Sequence, residues 1–270
     1  MRPSAVWHRL CADFLMPSRL DSYRELLETA INAGYCILPI GAFWRLIKDG
    51  QVDRETRYLV LRHDVDTGPR TAALMFDVER SLGVTGSYYF RLSTLDVKLM
   101  NAIAADGGEA SYHYEELATL AKRLRLHSRD DAIAHLEEGK AAFRLNVDRV
   151  RAVTGLPIRV VASHGDFANT ALNTPNWVML ADEAFRQEVG IDLETYDDAF
   201  MRYVTSRHSD TAPPRSWMSG DPAGALARHE AVVYLLVHPR HWRTDRIVNA
   251  RDDIGRLREG LIWRLTSARS

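Results

Sequence analysis

Apolar positions along this chain recur in two alternating periods. Over Leu20–Ala33, Tyr23, Leu26, Leu27, Ala30 and Ile31 fall three and four apart, which puts them on one face of a helix, and Gly34 ends the run. Ala42–Lys48 predicts a second short helix, closed by Asp49-Gly50. Tyr58–Leu61 is then a continuous apolar run of the kind a buried strand shows. Helical spacing returns from Pro69 to Leu82, with Leu74, Val78 and Leu82 placed for burial and Gly83 beyond the end. Ser87–Phe90 reads as an aromatic strand, Leu95–Ala105 as a helix ended by Asp106-Gly107-Gly108, and Glu109–His113 as a short strand. A long helix fits Asp130–Thr154, with Ser128 as its N-cap, Leu136, Phe143, Val147 and Val150 inward, and Gly155 and Pro157 as its stop.

Beyond it, Ile158–Ala162 is a continuous apolar strand, and Val178–Gln187 has helical spacing. Weaker strand signals lie near Gly190–Leu193 and Met201–Val204, and Ser206–Pro222 reads as a polar loop holding Pro213-Pro214 and Trp217. Ala231–Val237 is the strongest strand signal in the chain. A closing amphipathic helix from about Thr244 carries Ile247, Ile254, Leu257, Leu261 and Leu265. Strands alternating with helices predict a parallel sheet with helical cover. About seven such strands suit a distorted (β/α) barrel better than an open sheet. The expectation is one α/β domain over 1–270, with 1–56 a helical extension packed on the barrel and 244–270 a C-terminal helix.

The chemistry gathers where strands end. Tyr58–Leu61 runs into Arg62, His63, Asp64 and Asp66, and residues two apart in a strand share a face, so the two carboxylates emerge together. Side by side they repel, unless a metal, a cation or a shared proton compensates. The plain alternative is that one caps the helix from Pro69 while the other is solvated. His113, His164 and His238 also follow apolar strands directly. In a parallel barrel those ends converge on one rim, where active sites are built. Any one of these histidines alone would suit a structural role; several placed alike beside a carboxylate pair point to a metal-dependent hydrolase. Aspartate and histidine without thiolate suit zinc, and also cobalt, nickel or manganese.

Composition narrows the partners. With 35 basic and 36 acidic residues interspersed, nothing argues for nucleic acid or an anionic membrane surface. Cys11 and Cys36 have no metal-type spacing and do not form a disulfide framework. Charges break Met1–Leu20, so no secretory apolar segment is expected, and no run is long enough to span a membrane. A cytoplasmic protein acting on a small molecule or glycan is the default.

Arg62-His63-Asp64-Val65-Asp66, His113-Tyr114-Glu115 and Leu235-Leu236-Val237-His238-Pro239 together resemble the polysaccharide deacetylase superfamily. These are metal-dependent de-N-acetylases of the carbohydrate esterase type, and the likeness is to the branch bearing Arg-His-Asp-Val-Asp. The resemblance implies a distorted barrel with Asp64 as catalytic base, Asp66 and His113 as metal ligands and His238 as general acid. It spans about Tyr23 to Trp242. Two departures stand out. The common second metal histidine, four residues after the first, is Leu117 here, and Ser163-His164-Gly165-Asp166 occupies the place of an Arg-x-Pro motif. The candidate for the third protein ligand is His164, with Glu116 as second choice, and the remaining reading is a metal site that is lost or very weak. Arg62 or His63 would orient Asp64, and Trp217 and Trp242 would either stack on a sugar or simply pack. The activity implied is removal of an acyl group, acetyl above all, from an amino sugar or similar amine. The alternatives are an inactive barrel that binds a carbohydrate or partner, or a hydrolase of another C–N or ester bond.

Overall fold

A computed structural model describes residues 11, 14–211 and 216–267. Most of the N-terminal stretch read for a secretory segment, and the Pro213-Pro214 pair, lie outside them. The first helix forms over Leu20–Asn32 (α1) and buries Tyr23, Leu27 and Ala30. Next comes a strand that the apolar pattern did not reveal, Tyr35–Leu38 (β1), so the N-terminal extension is not helical throughout. Ile40–Lys48 (α2) precedes Arg57–Val65 (β2), which continues past its apolar run because Arg62, His63 and Asp64 are themselves buried. Gly68 then adopts a left-handed φ of 66°, which lets the chain turn directly from Asp66 into Pro69–Leu82 (α3). This helix turns Ala72, Met75, Phe76 and Glu79 inward, leaving Leu74, Val78 and Leu82 only half-buried.

Ser87–Phe90 (β3), Val97–Ala105 (α4) and Glu109–Tyr114 (β4) follow the expected order, with Asp96 capping α4 through the Leu99 N–H. A helix missing from the apolar reading, Glu116–Leu124 (α5), comes next. The long helix is two: Arg129–Ala134 (α6), capped by Ser128, and Leu136–Thr154 (α7). They part at His135, whose Nδ1 turns back to the Asp131 carbonyl at 2.8 Å. Val160–Ser163 (β5) leads to Phe167–Leu172 (α8). The helix expected over Val178–Gln187 is a 3-10 turn at Asn176–Ala181 and then Glu183–Glu188 (α9), restarted when Asp182 caps the Phe185 N–H.

Leu193–Glu194 (β6) is shorter than expected, and Met201–Val204 is no strand: it follows Asp198–Met201 (α10). The strand is instead Ser206–Ser209 (β7), inside the presumed loop. Its sequence, Ser-Arg-His-Ser, has no apolar residue, so hydrophobic periodicity was blind to it. Pro222–Ala227 (α11), Val232–Val237 (β8) and Arg246–Ser267 (α12) complete the chain. The apolar row expected to face inward on α12 does not: Ile247, Ile254, Leu257, Leu261 and Leu265 are all exposed. The helix docks by polar contacts, Asp252 and Asp253 to Arg240 and Glu259 to Lys122, and by Trp263, which packs on Phe167 and His127.

All strand pairings are parallel, in the order β6-β5-β4-β3-β2-β8-β7, and β1 pairs the first half of β2 on the edge whose second half β3 takes. The result is one α/β domain whose sheet curls into a half-barrel. Among the described residues no pairing joins β6 to β7. Tyr58, Val60 and the residues of β8 that face them (Val232, Tyr234, Leu236) fill the interior, which Ile40 and Phe43 of α2 close from below. Leu59 and Leu61 face outward onto α1 and α3, so strand alternation sends Arg62, Asp64 and Asp66 inward and His63 outward.

Candidate active site

The inward-facing ends of β2, β4, β5 and β8 meet at an open cleft of about 470 Å³. Asp64, Asp66, His113, His164 and His238 all line it. Asp66 Oδ1, His113 Nε2 and His164 Nδ1 form a triangle with sides of 3.2, 3.0 and 3.2 Å. Ligand atoms each about 2.0–2.2 Å from one ion, at tetrahedral or octahedral angles, lie about 3 Å apart. The triangle therefore fits a divalent ion. Asp66 Oδ1 is buried yet has no well-aligned hydrogen-bond donor, as a ligand atom would be left without its ion. Burial opposes ionisation of Asp66, but the imidazoles of His164 and His113 hold its carboxyl well below the usual range. His113 Nδ1 stands 2.9 Å from the Ala162 carbonyl, to which it must donate, which leaves Nε2 as the nitrogen turned to Asp66.

Asp64 is buried beside this triangle, its Oδ2 3.5 Å from His113 Nε2. Arg62, fully buried, grips both its oxygens, Nε to Oδ1 at 2.7 Å and Nη2 to Oδ2 at 2.8 Å. The same guanidinium donates to Thr195 Oγ1 and the Tyr234 hydroxyl. Burial pushes the Asp64 carboxyl up, and Arg62, His113 and His238 more than reverse this, so it stays ionised. His63 takes no part. It faces away from the cleft, stacked on Tyr88 at 3.9 Å, with Nε2 2.9 Å from the buried Glu79 carboxylate and 2.8 Å from the Tyr23 hydroxyl. Of the two residues expected to orient Asp64, only Arg62 touches it.

His238 Nδ1 donates to Asp210 Oδ1 at 2.6 Å, and its backbone N–H donates to Oδ2 at 2.8 Å. Burial lowers the imidazole pKa, but the Asp210 carboxylate outweighs it and raises the value to about 9. Asp210, in turn, resists burial and is held far below the usual range by His241 and His238. Asp210, His238 and His241 also form a three-ligand cluster. Within it Asp210 Oδ1 lies 2.6 Å from His238 Nδ1 and 3.1 Å from His241 Nδ1. Asp210 escaped the sequence reading because it follows β7, the strand with no apolar residue; its place just after a strand was the one available signal.

Several expected roles do not match these positions. Glu116 turns away from the triangle: its Oε1 accepts from Tyr112 at 2.5 Å and Asn146 at 2.9 Å. Leu117 lies in the apolar layer outside the barrel, where a histidine would find no ligand partner. Trp242 is buried and donates its indole N–H to Asp210 Oδ2 at 2.8 Å, and Trp217 packs 6.0 Å from it. Neither is among the residues that line the cleft, and Trp242 reaches His238 through Asp210. A third carboxylate–histidine cluster, Glu115, His164 and Asp166, is already claimed by cations: Arg91 pairs with Glu115 at 2.6 Å, and Lys122 with Asp166 at 2.8 Å.

Glu194, Tyr196 and Arg207 were also unforeseen. Burial pushes the Glu194 carboxyl up to about 7 against the pull of the Tyr196 N–H, Arg62 and the Ser163 N–H. Its two oxygens accept from the backbone of Ser163 and Tyr196, tying the end of β5 to that of β6. Among the described residues no helix is long and apolar enough to cross a membrane.

No family model and no curated protein matches the chain. Among solved structures it is similar to the Streptococcus pyogenes deacetylase PplD in complex with acetate, at 10% identity and a TM-score of 0.44, over 88% of this chain and 86% of that one.

Proposed function

We propose that this protein is a metal-dependent amidohydrolase that removes an acyl group, acetyl in the simplest case, from an amino sugar or related amine. The observation that carries this reading is the triangle of Asp66 Oδ1, His113 Nε2 and His164 Nδ1 beside the ionised Asp64. A divalent ion held there, zinc or a similar borderline metal, would polarise the amide carbonyl and lower the pKa of a water next to it. Asp64 would take the proton from the attacking water as a general base. Arg62 keeps that carboxylate charged and aimed, and each oxygen retains a second lone pair for the incoming proton. His238, protonated through its pairing with Asp210, would give its proton to the departing nitrogen, because an unprotonated amine leaves slowly.

Metal content and acetate release from N-acetylated amino sugars test this together. His164→Ala should bind metal about 10- to 100-fold more weakly or worse, since a ligand matters at least as much as the groups that orient ligands. Asp64→Asn should keep its metal and lose turnover. A wild-type protein that takes up no divalent ion after reconstitution would overturn the reading.

A further inference from the structure

The side of the cleft away from Asp66 is built differently. Tyr196, just after β6, and Arg207 and Ser209 on β7 line it, with Met218 and Ser219 from the following loop. Arg207 pairs in register with Tyr234 of β8, and its side chain is exposed. Its guanidinium carbon stands 5.1 Å from the Tyr196 ring centroid and 5.9 Å from that of Tyr234. Arg62 approaches the same Tyr196 ring at 4.9 Å.

The two arginines differ in what remains free. Arg62 donates to Asp64 twice, to Thr195 and to Tyr234. Arg207 makes no ion pair among the described residues and has ring contacts alone. Asp64 is paired with Arg62, and His238 with Asp210. Asp66 faces two imidazoles. Arg207 is thus an uncompensated cation in the cleft wall. A guanidinium set near aromatic rings keeps its donors free, and its planar fork matches carboxylate and phosphate oxygens two at a time. If Arg207 served only to bridge the gap between β6 and β7, its ring contacts would suffice, and its donors would have no task.

We propose that Arg207 binds an oxyanion on the substrate, so that the acylated amines taken by this cleft are amino sugars bearing a phosphate or carboxylate. The substrate class rests on the deacetylase reading above, whereas the anion site does not depend on it.

Calorimetric titration of metal-loaded and metal-free protein tests the site. The probes are N-acetylglucosamine, its 1-phosphate and 6-phosphate, and N-acetylmuramic acid. In the wild type at least one charged probe should bind about 10- to 100-fold tighter than the neutral sugar, the worth of a charge-assisted pair. The phosphate and carboxylate arms identify which anion fits. Arg207→Gln should erase the preference, and Arg207→Lys should keep part of it, because lysine offers charge without the fork. Thermal midpoints of the variants check the fold, and added salt should weaken the wild-type preference. Equal affinity for charged and neutral probes, measurable or not, overturns the proposal, as does a preference that survives in Arg207→Gln. Arg207-dependent anion binding without metal-dependent acetate release would sink the deacetylase reading and leave the site standing. Metal-dependent release at equal kcat/KM from charged and neutral sugars would do the reverse.

Discussion

At the scale of single residues, the pair Asp210–His238 governs how the site answers to pH. His238 in the folded protein has its pKa raised to about 9, above the ordinary histidine value of about 6.5. In the proposed mechanism His238 must carry its proton, so the proposed turnover should fall as pH rises through about 9. Asp210→Asn removes the carboxylate and leaves burial, which lowers the imidazole pKa. The alkaline limb of kcat/KM should then move to lower pH by at least one unit. Stability carries the same signature. A raised folded pKa contributes stability that is full below about 6.5 and lost as pH rises through about 9. The depressed Asp210 carboxyl is the acid side of the same interaction, lost as pH falls through its folded value. Urea unfolding of wild type and Asp210→Asn should therefore differ most between about pH 4 and 6.5 and converge above about 9. A constant difference across that range would show that Asp210 acts through packing alone.

At the scale of elements, β2 shows how much a strand's own sequence can settle. Its alternation sends Arg62, Asp64 and Asp66 to the interior and His63 to the helices, and both faces are buried, so a one-residue slip would be prohibitive. Below the site, α2 meets the barrel at a glycine chosen for closeness. A Cβ on Gly41 would stand 2.0 Å from Glu109 Oε2, a buried carboxylate that accepts from Ser87 at 2.9 Å and Tyr89 at 2.6 Å. Gly41→Ala should cost about 1–3 kcal/mol, the usual range for overpacking. Gly255→Ala, on α12 with nothing within 4 Å of its Cβ, should be neutral or stabilising by up to about 1 kcal/mol. Denaturant midpoints compare them, and equal effects would remove the close approach as the cause.

At the scale of the whole molecule, the proposed ligands come from the ends of three strands distant in sequence, so an ion held there would tie β2, β4 and β5 together. An ion that binds only the folded state adds about 2.7 kcal/mol at a hundred times its Kd. For a chain of this size that amounts to about 5–10 °C in Tm. Zinc should raise the wild-type Tm by that order, a chelator should reverse it, and His164→Ala should lose about half of the shift or more. If His164→Ala responds as the wild type does, the third ligand lies elsewhere.

What the sequence determined by itself was local. Periodicity and turn residues placed most helices and the strong strands, and the strand-end rule singled out Asp64, Asp66, His113, His164 and His238. Each of these signals lies within a few neighbouring residues, which is the range over which backbone preference and face burial act. The tertiary structure alone decided which distant groups meet. It brought His164 to Asp66 and His113 while drawing Glu116 to Tyr112, and it seated Asp210 behind His238 and Arg207 against Tyr196. It also left the apolar row of α12 exposed. Such pairings follow from how strands curl and register across the sheet, and β7 shows the limit most plainly. Its residues face a polar cleft on one side, and on the other His208 meets the Gly220 carbonyl, so no apolar pattern was ever required of them.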